Sequence, residues 1–145
     1  MGWGASRVWA QRDNHSLADK VRLREIVCRE LGEPLKVLDL FAGEGWIWKR
    51  LRRSLEISTY TPVDIRPRQP GTIRMDVTGR SVVAFNPDCF NVIDIDTYGD
   101  PWEIWDALRR RLTRRSAVFI THGMVGRGEG SLSLFLRAQA GIPHA

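Results

Sequence analysis

Val37-Leu38-Asp39-Leu40-Phe41-Ala42-Gly43-Glu44-Gly45 is the stretch from which the rest of the chain is read. An apolar run that begins at Leu35 stops in a turn with two glycines and passes at once into Trp46 to Leu55, whose spacing is helical. Strand, tight loop and helix follow from that pattern. Gly43 and Gly45 let the backbone approach a ligand that a side chain would block, although an ordinary strand-to-helix turn uses glycine as well.

Upstream, Ser16 followed by Asp19 makes a capping-box-like start. Leu17, Val21, Ile26, Val27 and Leu31 then recur at roughly helical spacing until Gly32 and Pro34 end the pattern. Residues 1–15 read as an irregular lead-in. Downstream, residues 56–65 predict a second strand and residues 72–77 a shorter one, with Pro67 and Pro70 between them. Residues 90–96 are apolar apart from Asn91 and two aspartates, as a buried parallel strand should be. Residues 102–115 predict a helix, with Asp100 as its N-cap and Pro101 at its first position. A further strand is expected over 117–121 and a last helix over 132–140. Strands alternating with helices imply an α/β protein with a mainly parallel sheet of about five strands, because parallel neighbours need crossover connections. Ligands in such sheets bind at the carboxyl ends, near the switch in strand order.

The 145 residues, 43% of them hydrophobic, suffice for one core, and the whole chain reads as one domain. No apolar run approaches the ~18 residues of a membrane span. A cytoplasmic protein that does not engage a membrane is expected. Cys28 and Cys89 read as free thiols in apolar surroundings, with no metal-ligand spacing around them. The formal net charge is +5 and lysine occurs only at Lys20, Lys36 and Lys49, so the excess is carried by arginine. Guanidinium forks suit phosphate oxygens, which makes RNA or DNA a candidate partner; an arginine-rich solvated surface gives the same composition.

The second strand ends at Asp64, nineteen residues beyond Gly45, where a carboxylate can accept hydrogen bonds from ribose hydroxyls. Dinucleotide-binding domains share that spacing, but Trp48 stands where their third glycine would be. The segment Asp39-Leu40-Phe41-Ala42-Gly43-Glu44-Gly45 instead resembles motif I of class I S-adenosylmethionine-dependent methyltransferases, and the resemblance runs over residues 35–122. It implies a Rossmann-like, doubly wound fold that binds S-adenosylmethionine and releases S-adenosylhomocysteine. By the same resemblance Asp39 supports the loop and the methionine part of the cofactor, Phe41, Gly43 and Gly45 shape the cradle, and Asp64 holds the ribose. Ile65 would pack on the adenine face, Asp76 would receive the adenine amino group, and Val77 would lie beside the ring. An ordinary loop acid at 76 and an ordinary core residue at 65 are the plainer alternatives.

Asp94-Ile95-Asp96-Thr97-Tyr98-Gly99-Asp100-Pro101 closes the fourth strand. Two carboxylates at the end of a buried strand are costly unless hydrogen-bonded or employed, which makes both site candidates. The segment is similar to the acceptor motif of tRNA guanine-N2 dimethyltransferases, from which it departs at Thr97, Tyr98 and Asp100. The resemblance gives Asp96 and Tyr98 catalytic roles, with Asp96 orienting an amine acceptor and Tyr98 stacking on a base, and puts Asp94 with the cofactor set. Tyr98 also reads as a core aromatic, His122 as a structural histidine, and Trp46 and Trp48 as packing residues. The arginines from 109 to 115 suit either a phosphate backbone or a helix C-terminus far from the site.

Full class I methyltransferases continue past the fifth strand with a helix and an antiparallel strand pair, whereas residues 123–145 offer a loop and one amphipathic segment. The fifth strand is then expected at a sheet edge, covered by a second copy in a homodimer, by a partner subunit or by the N-terminal segment. Two functions follow as expectations. The first is a methyltransferase acting on an amine acceptor, in a nucleic acid or a small molecule. The second is a truncated cofactor-binding module without activity of its own.

Overall fold

The computed structural model describes residues 16–122, so the expected lead-in over 1–15 and the expected helix over 132–140 lie outside the described residues. The elements in chain order are α1 (Leu17–Arg29), β1 (Leu35–Leu40), α2 (Trp46–Leu51), β2 (Ile57–Asp64), β3 (Ile73–Arg74), short 3-10 turns at Ser81–Ala84 and Pro87–Cys89, β4 (Val92–Asp96), α3 (Trp102–Arg109) and β5 (Ala117–Thr121). All five strands run parallel in the order β3-β2-β1-β4-β5, which is a Rossmann-like α/β arrangement. The order turns back on itself at β1. The chain moves outward from β1 through β2 to β3, then crosses to β4 on the other side, and the cleft between the carboxyl ends of β1 and β4 is where such sheets bind ligands.

Alternation along the strands divides the core. Leu38, Leu40, Val63, Ile93 and Ile95 pack with Ile104 and Leu108 of α3 and with Val82 of the first 3-10 turn. On the other face Leu35, Val37, Val92, Ala117 and Phe119 pack with Cys28 of α1 and Trp48 and Leu51 of α2. The pleat carries the next residues of the same rows, Asp39 and Asp94, onto that second face, directly opposite one another in register. Pro62 is tolerated in β2 because β3 pairs only with Val63 and Asp64, so one edge beside the proline is unpaired.

Several elements end earlier than their sequence pattern. The helix expected over 102–115 stops at Arg109, since Asp88 accepts the Thr113 backbone N–H at 2.8 Å and turns the chain toward β5. The strand expected over 72–77 pairs only at Ile73 and Arg74, because the Asp76 carbonyl accepts the Ser81 hydroxyl at 2.6 Å and draws the chain into a 3-10 turn. Beyond Leu51 the second helix continues only as a hydrogen-bonded turn. Ser16 caps α1 through its carbonyl, which accepts the Lys20 N–H, and not through its side chain. α3 begins at Trp102 with Pro101 at its N-cap, one residue later than expected, and the Asp100 carboxylate accepts the Trp102 N–H at 3.0 Å from just outside the helix. Cys28 is buried, and burial raises its thiol pKa to about 11, whereas Cys89 is exposed and not in the apolar setting expected of it. Among the described residues no helix is long and apolar enough to cross a membrane.

Candidate functional site

The loop after β1 carries an unusual backbone. Phe41, Gly43 and Gly45 have φ of 66°, 52° and 69°, so left-handed residues alternate through the turn, one of them a bulky aromatic. A non-glycine residue there stores strain of order 1–3 kcal/mol, which the surroundings must overcome. They do so through β2. The Ala42 N–H donates to the Val63 carbonyl at 3.0 Å and the Gly43 N–H to Asp64 Oδ2 at 2.9 Å. The other oxygen of Asp64 accepts the Arg66 N–H at 2.8 Å. Space above Gly43 is open, while a Cβ at Gly45 would collide with the side-chain amide of Gln69.

Beneath this loop lies a polar network on the α1–α2 face of the sheet. Arg24 of α1, 2% exposed, grips Asp94 with both arms of its fork, Nε to Oδ2 at 2.6 Å and Nη2 to Oδ1 at 2.7 Å. Trp48 Nε1 donates to the same Oδ2 at 3.0 Å. The guanidinium also lies 4.9 Å from the centre of the Phe119 ring and donates to the Lys20 carbonyl. One turn earlier on α1, Lys20 Nζ sits 2.9 Å from both oxygens of Asp96. Asp39 receives the Tyr60 hydroxyl at 2.6 Å, and the Gln69 amide donates to that hydroxyl at 3.2 Å.

Burial, followed by the neighbouring Asp94 charge, holds the Asp39 carboxyl well above the usual carboxylate range. Burial also raises Asp94, against the opposing pull of Arg24. Arg24 is shifted upward, the Asp94 hydrogen bond and charge outweighing its own desolvation. Burial and the Asp39 charge move the Tyr60 phenol upward.

The residues singled out from sequence are thereby placed. Asp39, Phe41, Gly43, Gly45, Asp64, Asp94 and Asp96 gather around the carboxyl ends of β1, β2 and β4. Asp94, 1% exposed and saturated by Arg24 and Trp48, forms the floor beneath the others. Asp96 stands at the rim with its side chain 23% exposed. Ile65 is half-exposed and Tyr98 is 75% exposed, so Tyr98 is no core aromatic. Asp76 is exposed in the β3 loop, and its neighbour Val77 is buried in the core. Trp48 is buried and packs as expected, whereas Trp46 is 56% exposed. His122 is exposed, its ring centroid 6.4 Å from that of Trp102.

Arg24, Lys20, Tyr60 and Gln69 escaped sequence reading. The signal for Arg24 was present: Leu17, Val21, Arg24, Cys28 and Leu31 repeat at four-three-four-three spacing, so the arginine occupies the buried stripe. A shallow cavity of about 360 Å³, lined in part by Cys28, Glu33, Leu35 and Leu55, opens at the opposite, amino-terminal end of the sheet.

The fold defines an α/β protein of Rossmann-like architecture, with aspartates gathered beside a left-handed loop at its topological switch point. No family model, curated protein or solved structure matches the chain.

Proposed function

We propose that this domain binds S-adenosylmethionine at the loop 41–45 and transfers its methyl group to an amine acceptor presented at Asp96, the acceptor being carried in a nucleic acid. The observation that carries the reading is the left-handed alternation at Phe41, Gly43 and Gly45, pinned by the Asp64 carboxylate at the switch in strand order. Strain of this kind is retained where a backbone must meet a ligand closely.

The residues fit the cofactor's chemistry. Asp64, with each oxygen already holding one backbone N–H, keeps further lone pairs for vicinal hydroxyls. Open space above Gly43 admits a chain that a Cβ would hinder. Asp39, drawn toward its neutral form, steadies the cleft through Tyr60 without adding a full charge beside Asp94. When bound, S-adenosylmethionine supplies an electrophilic methyl on a sulfonium leaving group, and the protein's task is alignment. Asp96 contributes by accepting hydrogen bonds from the N–H groups of an amine, as it now accepts them from the Lys20 ammonium at 2.9 Å on both its oxygens.

That same contact favours a second reading. With Asp96 engaged by Lys20 and Asp94 by Arg24, the domain could serve as a cofactor-binding module whose acceptor carboxylate is capped. Isothermal calorimetry with S-adenosylmethionine and S-adenosylhomocysteine tests what both readings share. Binding weakened at least ~10-fold in a folded Asp64→Ala variant is expected, about 1.4 kcal/mol or more. Absence of binding to the intact protein overturns both. Transfer of labelled methyl to a nucleic-acid pool, lost in Asp96→Ala with cofactor affinity retained, separates enzyme from module.

A further inference from the structure

The arginines fall into two groups that the sequence does not distinguish. Those from 109 to 115 are engaged within the molecule. Arg109 and Arg110 both pair with Asp106, Arg111 donates to the Val83 carbonyl, Arg114 to Glu33 and the Asp88 carbonyl, and Arg115 to the Glu30 carbonyl. Glu33 and Asp88 stand beside the amino-terminal ends of β1 and β4, away from the strand-end carboxylates. By contrast Arg50, Arg53, Arg66, Arg68 and Arg74 are exposed and their side chains have no hydrogen-bond or ion-pair partner among the described residues. Arg52, also exposed, only stacks over the Tyr60 ring at 5.0 Å.

Arg22 on α1 and Arg80 before the first 3-10 turn are exposed and unengaged as well, but the other six follow one flank of the fold. Arg52 touches Tyr60 of β2, whose hydroxyl receives Gln69, the residue after Arg68. Arg66 is tied by its N–H to Asp64, and Arg74 of β3 is the register partner of Asp64. The track therefore climbs from the end of α2, across the outer strands, to the mouth of the cleft. Between residues 64 and 74 three arginines face one aspartate, and that aspartate is held by backbone N–H groups. At the mouth exposed apolar and aromatic side chains join them: Trp46 directly after Gly45, its indole N–H donating to Glu44 and Lys49 Nζ 5.0 Å from its ring centre, Ile65 directly after Asp64, and Tyr98 beyond Asp96.

We infer that this flank is a polynucleotide track: Arg50, Arg52, Arg53, Arg66, Arg68 and Arg74 follow the phosphates of a single strand and deliver an unstacked base to the rim formed by Trp46, Ile65 and Tyr98. Unengaged guanidinium groups bind phosphate without first losing an internal partner. Exposed rings beside a cationic track are the pairing that single strands use, bases stacking while the backbone is neutralised. The inference rests on the methyl-transfer reading for what happens at the rim, but its binding surface is measured separately.

Fluorescence anisotropy of labelled 20-nucleotide RNA and DNA, single-stranded and duplex, is read across a salt series. Single strands are expected to bind in preference to duplexes, with a slope of log K against log salt that the Arg50→Glu/Arg53→Glu variant reduces by about 1.4, at about 0.7 per phosphate contact. At low salt that variant should bind at least ~10-fold more weakly, while Arg110→Gln, on the engaged cluster, stays within about twofold. Circular dichroism establishes that each variant is folded, and calorimetry with S-adenosylmethionine should give the same affinity for both. Equal loss in the Arg110→Gln variant, preference for duplex, or tighter binding to anionic lipid vesicles or polyglutamate than to either single strand overturns the track. Polynucleotide binding that fails while S-adenosylmethionine still binds overturns this inference alone; the reverse pattern overturns the methyl-transfer reading and leaves the track standing.

Discussion

On the face turned toward α3, β1 and β4 present Leu38, Leu40, Ile93 and Ile95, each at 0% exposure, while on the face toward α1 and α2 the same strands set Asp39 at 4% and Asp94 at 1% beside the apolar Val37 and Val92. Burial is equal and the materials are opposite. Hydrocarbon on the first face needs no partner, since its stabilisation scales with the area removed from water. The second face's carboxylates depend on Arg24, Trp48 and Tyr60, because a buried charge that loses its partner costs about 3–5 kcal/mol. A buried ion pair is often no more stable than an apolar replacement of the same volume. Stability therefore accounts for the apolar residues of both faces but not for the buried carboxylates of the second, which lie beneath the loop 41–45.

The largest effect should come from breaking the ion pair on one side. Arg24→Ala is expected to lose roughly 3–5 kcal/mol in guanidinium unfolding, leaving Asp94 and Asp39 together without their cation. The paired replacement Arg24→Met/Asp94→Leu should recover most of that loss and yet bind S-adenosylmethionine more weakly. A double variant as unstable as the single one would show that the charges are there for stability after all. Next comes Asp39→Asn, expected to stabilise the protein by roughly 1 kcal/mol at neutral pH. Because the folded carboxyl titrates above its unfolded counterpart, the wild type takes up a proton on folding and loses stability as pH rises from the ordinary carboxylate range through the folded value. Asparagine does not titrate, so the difference in melting temperature should close below that range; a gap that widens in acid contradicts the assignment. Last is Ile93→Val on the apolar face, a loss of about 1 kcal/mol that is independent of pH. A pH-dependent loss there would mean that the two faces are not separate.

The apolar face was also the legible one. β4 and β5 read directly from sequence because a parallel strand covered on both sides is a nearly unbroken apolar run bounded by turns. The glycine loop and Asp64 were legible from spacing, and the structure places them together. What sequence concealed was partnership. Arg24 lies seventy residues from Asp94, and a single chain read in order gives no weight to a charge that sits in an apolar stripe. Element ends were hidden for the same reason: α3 stops at Arg109 on account of Asp88, which belongs to a different part of the chain.

The seventy-residue separation of Arg24 and Asp94 also sets a schedule for biosynthesis. At about 5–20 residues per second, the ribosome releases α1 roughly 4–14 seconds before it releases the counter-charge on β4. During that interval the guanidinium is better served by water than by any docking surface yet made. Of the described elements α1 is made first, yet its buried guanidinium gains its counter-charge only when the strand that carries Asp94 and Asp96 has arrived.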